Sequence, residues 1–294
     1  MQTTALRTLV EVARLGSISA AADTLGYTQS AVSRQVQALE ADTGAQLLER
    51  LPRGVRLTSA GEAVERHARV ILREVTRLAE AVAEPAAATA TLSVGAVPSA
   101  AAALLPTVSH RLRRHHPEVR LRFVEGFTPD LVGRVARGEL DLAVVTDYPP
   151  GLPSAAGVVL HHLADDEVLV GMPAGHRLAG PTRRVRLDRY ADDDWVEDYR
   201  GSARTLVEAC ARAGFSPRIE HECGGWTGKL GLIAAGAGVG IVPGLMAGSV
   251  RADVVCRPLV DPPVRGVYAA VHDASAGLPV VAAMLDELTA WLTP

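Results

Sequence analysis

Five side chains between residues 29 and 37 have the chemistry to read a nucleic-acid duplex. Gln29, Ser30, Ser33, Arg34 and Gln37 are short or planar hydrogen-bonding groups, the kinds that match the donor and acceptor patterns of base edges in the major groove. Val32, Val36 and Leu39 lie among them at steps of four and three. On a helix that spacing turns the apolar set to one side and the polar set to the other. Downstream, Arg50, Arg53 and Arg56 occupy a stretch, 50–58, that contains no acid. Such a cluster suits the phosphate backbone or an adjacent minor groove, and taken alone it is equally a solvated arginine patch.

These residues need elements to hold them. Ser17 is the N-cap of a first helix whose packing residues are Ala20, Ala21, Ala22 and Leu25, and Gly26-Tyr27 breaks it. Thr28 caps the second helix. Helix, tight turn, helix is the geometry that delivers a recognition helix to the major groove, so Ser17 and Thr28 join the candidate contact set. Ser59-Ala60-Gly61-Glu62 reads as a capping box that opens a long helix. Val64, Ala68, Ile71, Val75, Leu78 and Val82 then hold a heptad seam for nearly three repeats. Such a helix either packs on its own domain or pairs two copies. Its length and its place between two differently composed halves favour pairing.

The segment 16–61 also resembles the DNA-binding part of the LysR-type transcriptional regulators. Gly16-Ser17-Ile18-Ser19-Ala20-Ala21-Ala22, Leu25, Gln29-Ser30-Ala31-Val32-Ser33, Leu39-Glu40, Gly44, Leu47, Arg50 and Leu57-Thr58-Ser59-Ala60-Gly61 carry the likeness, almost position for position. Ser30 stands where proline is frequent and Leu48 where phenylalanine is usual; both keep the local chemistry compatible with the fold. The likeness is looser over the rest of the chain.

Beyond Pro85, where the long helix stops, 84–90 reads as a hinge. Strands are expected at 91–97, 119–125, 140–146, 167–172, 218–223, 239–242 and 267–272. Helices are expected at 100–116, 130–138, 204–213, 227–235 and 279–292. That alternation predicts α/β architecture with mainly parallel sheets. The resemblance implies more: an α/β effector-binding region of two Rossmann-like, periplasmic-binding-protein-like subdomains, the second inserted in the first. It implies that an all-α winged helix-turn-helix domain and a long dimerisation helix precede this region. The expected divisions are 1–58, 59–84 and 85–90. The effector region is then 91–294, split into about 91–162 with 266–294, and about 163–265.

Val97-Pro98-Ser99 follows a strand and precedes a helix, so Ser99 and nearby N–H groups are placed to meet an anionic group, or else to cap the helix only. The resemblance places an effector near this turn, with Pro98, Ser99, Ala100, Thr128 and Thr146 on one side and Ser202, Trp226 and Thr227 on the other. A small organic acid with an apolar or aromatic body suits that set; Trp226 as a plain core residue is the alternative. The implied partners are double-stranded DNA, the effector, a second copy of the chain in a dimer or tetramer, and RNA polymerase.

Other signals point away from further chemistry. With 294 residues, 48% of them apolar, and a net charge of −3, the chain reads as globular, multi-domain and not uniformly basic. Of its 30 basic residues only Lys229 is lysine. No run of eighteen apolar residues suggests a membrane span, and the first residues lack the pattern of an export signal, so a cytoplasmic protein is expected. Gly236-Ala237-Gly238-Val239-Gly240 follows a helix and precedes a strand, the reverse of a phosphate cradle. Neither His115-His116, His161-His162 nor His221-Glu222-Cys223 has zinc-like spacing, and no nucleophile, base and orienting acid assemble from the sequence. No metal, cofactor or catalytic residue is therefore assigned. An enzyme or a small-molecule-binding protein with a DNA-binding appendage is the alternative reading. Peroxide-sensing members of the resembling family use a cysteine pair. Here Cys210 matches one position while Gly201 occupies its partner's, so Cys210 reads as a buried apolar residue.

Overall fold

The computed structural model describes residues 1–52, 54–83, 90–147, 151–180, 184–198 and 202–292. It opens with a helix that the sequence reading did not foresee, α1 (Thr3–Leu15), followed by α2 (Ile18–Leu25) and α3 (Gln29–Thr43). Leu6, Leu9 and Val12 of α1, Ala21 and Ala22 of α2, and Val32, Val36 and Leu39 of α3 close one small core with Leu47 and Leu48. Ser17 caps α2, its Oγ accepting from Ala20 N at 3.3 Å. Gly26, with φ +71°, ends that helix in the left-handed region that glycine reaches without penalty.

The wing is an antiparallel hairpin, β1 (Leu48–Leu51) and β2 (Gly54–Leu57), so the N-terminal unit is helical apart from these two strands. Glu40 Oε1 accepts from Leu47 N and Leu48 N at 2.8 and 3.3 Å, tying the end of α3 to the wing. Val55 N donates to Gly16 O at 2.9 Å, and a Cβ on Gly54 would lie 2.4 Å from that same oxygen. Helix α4 (Ser59–Ala83) follows. Its cap is Thr58 instead of the expected Ser59: Gly61 N donates to Thr58 Oγ1 at 3.0 Å. The capping hydroxyl thus sits three residues before Gly61, whose own Cβ would meet Leu47 O at 2.0 Å.

Next come β3 (Ala90–Ala96), α5 (Pro98–Ala103), α6 (Leu105–His115), β4 (Val119–Glu125), α7 (Thr128–Ala136) and β5 (Leu142–Thr146). The single helix expected over 100–116 breaks at Leu104, because Pro106 brings no N–H and opens a new helix at its first turn. Then β6 (Val158–Pro173), β7 (Asp194–Asp198), α8 (Ser202–Arg212), β8 (Arg218–Cys223), α9 (Trp226–Ala234) and β9 (Gly240–Pro243) follow. A 3-10 turn (Gly244–Ser249), β10 (Val254–Pro258), β11 (Val264–His272) and α10 (Pro279–Leu292) complete the chain.

Seven strands form one sheet in the order β10-β6-β11-β5-β3-β4, with β9 also on β6. It is mixed, not mainly parallel as expected. β3 runs parallel to β4 and β5, but β11 and β6 return antiparallel, as do β9 and β10 on β6. β7 and β8 form a separate parallel pair. The expected strand 167–172 is the second half of the sixteen-residue β6, which pairs β11 through its first half and β9 and β10 through its second. Around the first half, α6, α7 and α10 bury Val108, Leu131 and Met284 against β3 and β5. Around the second, Val168 and Val170 pack with Tyr190, Trp195, Leu206 and Ile241. The hinge expected at 85–90 lies, apart from Ala90, outside the described residues.

Candidate functional site

Helix α3 separates its side chains as its spacing requires. Val32, Val36 and Leu39 are buried, whereas Gln29, Ser30, Arg34 and Gln37 are exposed and Ser33 is half-buried. Thr28 Oγ1 accepts from Ala31 N at 3.2 Å and lies 3.0 Å from Ser30 Oγ, so Thr28 holds the helix start as a cap. Among the described residues Gln29, Arg34 and Gln37 make no side-chain hydrogen bond or ion pair, and Gln35 instead binds the buried Thr8 hydroxyl. Arg50 is likewise exposed and unpaired there, and Arg53 lies outside the described residues. Arg56 differs. The hairpin register sets Glu49 opposite it, and their ion pair raises the guanidinium pKa, chiefly through the hydrogen bond. The sequence reading counted 50–58 as acid-free and missed the acid one residue before it, which only strand pairing brings across.

The heptad seam of α4 divides by burial. Val64 and Ala68 pack into the N-terminal core beside α1, a correction to the expectation that the whole seam faces a partner. Ile71, Val75 and Leu78 stay 41%, 38% and 66% exposed. Val82's side chain lies outside the described residues. α4 also reaches the α/β region: Arg73 Nη1 lies 3.1 Å from Asp141 Oδ1, while Asp141 Oδ2 accepts from Ser93 N at 2.8 Å.

The candidate effector residues form two linked groups and some outliers. Pro98 begins α5, and Ser99 and Ala100 behind it are buried. Ser99 Oγ accepts from Arg265 Nη2 at 2.8 Å, and Arg265 Nε donates to Asp166 Oδ2 at 2.8 Å. Thr128 Oγ1 donates to Thr146 O at 2.9 Å and accepts from Thr146 N at 3.2 Å. That hydroxyl therefore clamps the start of α7 to the end of β5. Thr227 is exposed at the start of α9, and Ser202 opens α8 with its side chain outside the described residues. Trp226 is half-buried against Leu230 and Val242, and Lys229 Nζ lies 5.1 Å from its ring centre. The sole lysine is buried and paired with Glu197 at 3.1 Å.

Asp166, Arg265, Lys229 and Glu197 were missed as polar centres. The signal was present for one of them: alternation along β6 sets Asp166 on the same face as Val168 and Val170. An acid on an apolar face requires a partner. Burial pushes the thiols of Cys210 and Cys256 up to about 12 and about 11, far from thiolate reactivity. Among the described residues no group of three or more His, Cys, Asp or Glu is arranged to hold a metal, and no helix is long and apolar enough to cross a membrane.

Two family descriptions cover nearly all of this architecture. "Bacterial regulatory helix-turn-helix protein, lysR family" matches residues 3–62, and "LysR substrate binding domain" matches residues 86–293. This chain belongs to the LysR family. It is a LysR-type transcriptional regulator, and relatives along most of its length are regulators too. The Hca operon transcriptional activator HcaR of Escherichia coli is 30% identical over 86% of this chain and 86% of its own. A probable hydrogen peroxide-inducible genes activator of Streptomyces viridosporus is 32% identical over 81% of this chain and 76% of its own. Full-length BenM superposes with a TM-score of 0.59 at 25% identity, covering 99% of this chain and 96% of that one. A full-length OxyR variant from Pseudomonas aeruginosa shares the fold, with a TM-score of 0.67, 24% identity, and 98% and 94% coverage.

Proposed function

We propose that this LysR-family regulator binds a partly two-fold operator as a dimer or tetramer and changes its grip when a small molecule, a small organic acid in the first instance, occupies the α/β region. The observation that carries this reading is the exposed face of α3, where Gln29, Arg34 and Gln37 have no partner among the described residues. Gln29, Ser30, Ser33, Arg34 and Gln37 read bases or neighbouring phosphates. Arg50, Arg53 and Arg56 hold the backbone, and Ser17 and Thr28 act as caps beside it. Ile71, Val75 and Leu78 of α4 supply the apolar strip on which a second copy pairs. RNA polymerase is the further protein partner, the cytoplasm the site of action, and no catalytic step is assigned.

The working division is 1–58 for DNA, 59–84 for pairing, 85–90 for the hinge and 91–294 for the effector. The two effector subdomains, 91–162 with 266–294 and 163–265, share the strand β6. The effector set is Pro98, Ser99, Ala100, Thr128, Thr146, Ser202, Trp226 and Thr227, with Ser99 foremost because its buried hydroxyl borders an arginine. Selection of binding sites from random DNA by the full-length protein tests the reading. The expected product is a motif with partial two-fold symmetry whose half-sites lie about one duplex turn, ~34–36 Å, or a multiple of it, apart. Enrichment of no motif would overturn it.

A further inference from the structure

His272 is wholly buried where β11 ends, at the junction between α4 and the α/β region. The 3-10 turn that follows it, Asp273–Ser275, packs against α4. Asp273 Oδ1 is 3.1 Å from His272 Nδ1, and Asp273 N donates to Gly157 O at 2.9 Å. A Cβ on Gly157 would lie 3.3 Å from Nε of Arg66 and 3.5 Å from Asp273 Oδ1, so the Arg66 side chain of α4 and the Asp273 carboxylate meet at this corner. On the β5 side, one step past the Val271–Leu142 pair brings Asp141 opposite His272. Asp141 is buried as well and lies 3.1 Å from Arg73 Nη1 of α4.

Charge at this junction is balanced only while the ring is neutral. Asp141 and Asp273 face Arg66 and Arg73, the Glu65–Arg69 pair of α4 cancels itself, and Val158 of β6, opposite His272, carries no charge. His67, exposed on α4, is the remaining titratable neighbour. Burial lowers the pKa of the ring from 6.5; Asp273 opposes this, and Arg73, His67 and Arg66 lower it further. The ring takes up a proton more readily when the junction is open than when it is closed, so a fall in pH favours opening. Ser275 is wholly buried too, and its Oγ has no partner among the described residues. Opening gives both the hydroxyl and the ring to water.

We propose that this junction is an acid-sensitive joint: a proton on His272 releases α4 from the α/β region and so weakens the grip on DNA. The first half of α4 carries the DNA-binding unit through Val64 and Ala68, while Arg66 and Arg73 meet the α/β region. Release leaves the recognition helices less fixed, and the lost preorganisation costs affinity. One proton changes the opening equilibrium by at most about tenfold per pH unit below pH 6.5.

The test follows binding of the full-length protein to its selected operator by fluorescence anisotropy, at fixed salt, between pH 7.5 and 5.5, with calorimetric unfolding at both ends. Wild type is expected to lose up to about tenfold more affinity over this range than His272→Gln, whose neutral amide takes no proton. Its unfolding should be a single transition at pH 7.5 and split at pH 5.5, as the N-terminal unit and the α/β region come apart, and stay single at both in His272→Gln. Two changes tune the response without removing the ring. Arg66→Gln takes away a positive neighbour and should shrink it, whereas Asp273→Asn takes away the opposing charge and should enlarge it. Neither side chain is fully buried, so these variants decide the matter should His272→Gln fail to fold. His67→Gln should keep the response. An equal response in His272→Gln, its loss in His67→Gln, shifts in the same direction from Arg66→Gln and Asp273→Asn, or a single wild-type transition at both pH values would each overturn the inference.

Discussion

At the scale of single residues, the proposed DNA interface gives Arg34 and Glu49 opposite roles. Arg34 has no competing partner among the described residues, so its fork is available to a guanine edge. Arg34→Ala or Gln29→Ala is expected to weaken binding to the selected site by about 1–3 kcal/mol and to relax preference at one base position. Arg50→Ala or Arg53→Ala should weaken all sequences alike and lower the slope of log affinity against log salt by about one unit. Glu49 pairs with Arg56 across the hairpin and competes with phosphate for it, so Glu49→Gln should raise affinity at low salt. Gel-shift titration at two salt concentrations separates the three cases, and unchanged affinity in the Arg34 variant would remove it from the interface. Deeper in the molecule, Lys229→Met leaves the buried Glu197 carboxylate without its cation and should cost about 3–5 kcal/mol by denaturant unfolding. Lys229→Met with Glu197→Leu should recover part of that loss. Recovery stays partial because Ile241 N also donates to Glu197, at 3.4 Å.

At the scale of elements, the two halves of α4 differ in what covers them. Its first half is held by α1 through Val64 and Ala68, and its second half leaves Ile71, Val75 and Leu78 uncovered within the chain. Ile71→Asp or Leu78→Asp places a charge on that strip and should separate copies, read as a fall in mass by light scattering. An unchanged mass in both variants would mean that the strip does not pair. The helix-turn-helix and α4 were legible because capping residues and apolar spacing act locally, over one or two turns. Pairing direction was not legible: whether β11 and β6 return antiparallel depends on partners about a hundred residues away in sequence or further, which no local period encodes. The same limit hid Arg265. Ser99 and Thr128 stood out beside turns and helix starts, whereas Arg265 meets Ser99 from 166 positions away. β7 went unseen because its acids, Asp194, Glu197 and Asp198, mask a short strand that Trp195 and Val196 bury.

At the scale of the whole molecule, α4 and the α/β region meet around a histidine. His272 is wholly buried at the end of β11, with Asp273 at 3.1 Å and with Arg66, His67 and Arg73 of α4 nearby. Burial is the largest influence and lowers its pKa from 6.5; Asp273 opposes it, and Arg73, His67 and Arg66 lower it further. The folded protein therefore prefers the neutral ring, whereas the unfolded chain takes up a proton near pH 6.5. Stability from this group is complete above that pH and declines as pH falls below it. Melting temperatures between pH 8 and 5.5 should show the decline, and His272→Gln should flatten it; an equal slope in the variant would assign the effect to other groups.

β6 carries a mechanical consequence. Its sixteen residues run from one core into the other, and against β11 it carries an extra residue: Val267 pairs Ala164 while Tyr268 pairs His162, which leaves Leu163 of β6 outside the ladder. An extra residue of this kind bends its strand and increases the local right-handed twist. The two cores are thus joined through a strand that is bent and twisted between them. On the function proposed above, an occupant between the cores would act across that bend, and a change of the bend is what a dimer would turn into a new separation of its recognition helices.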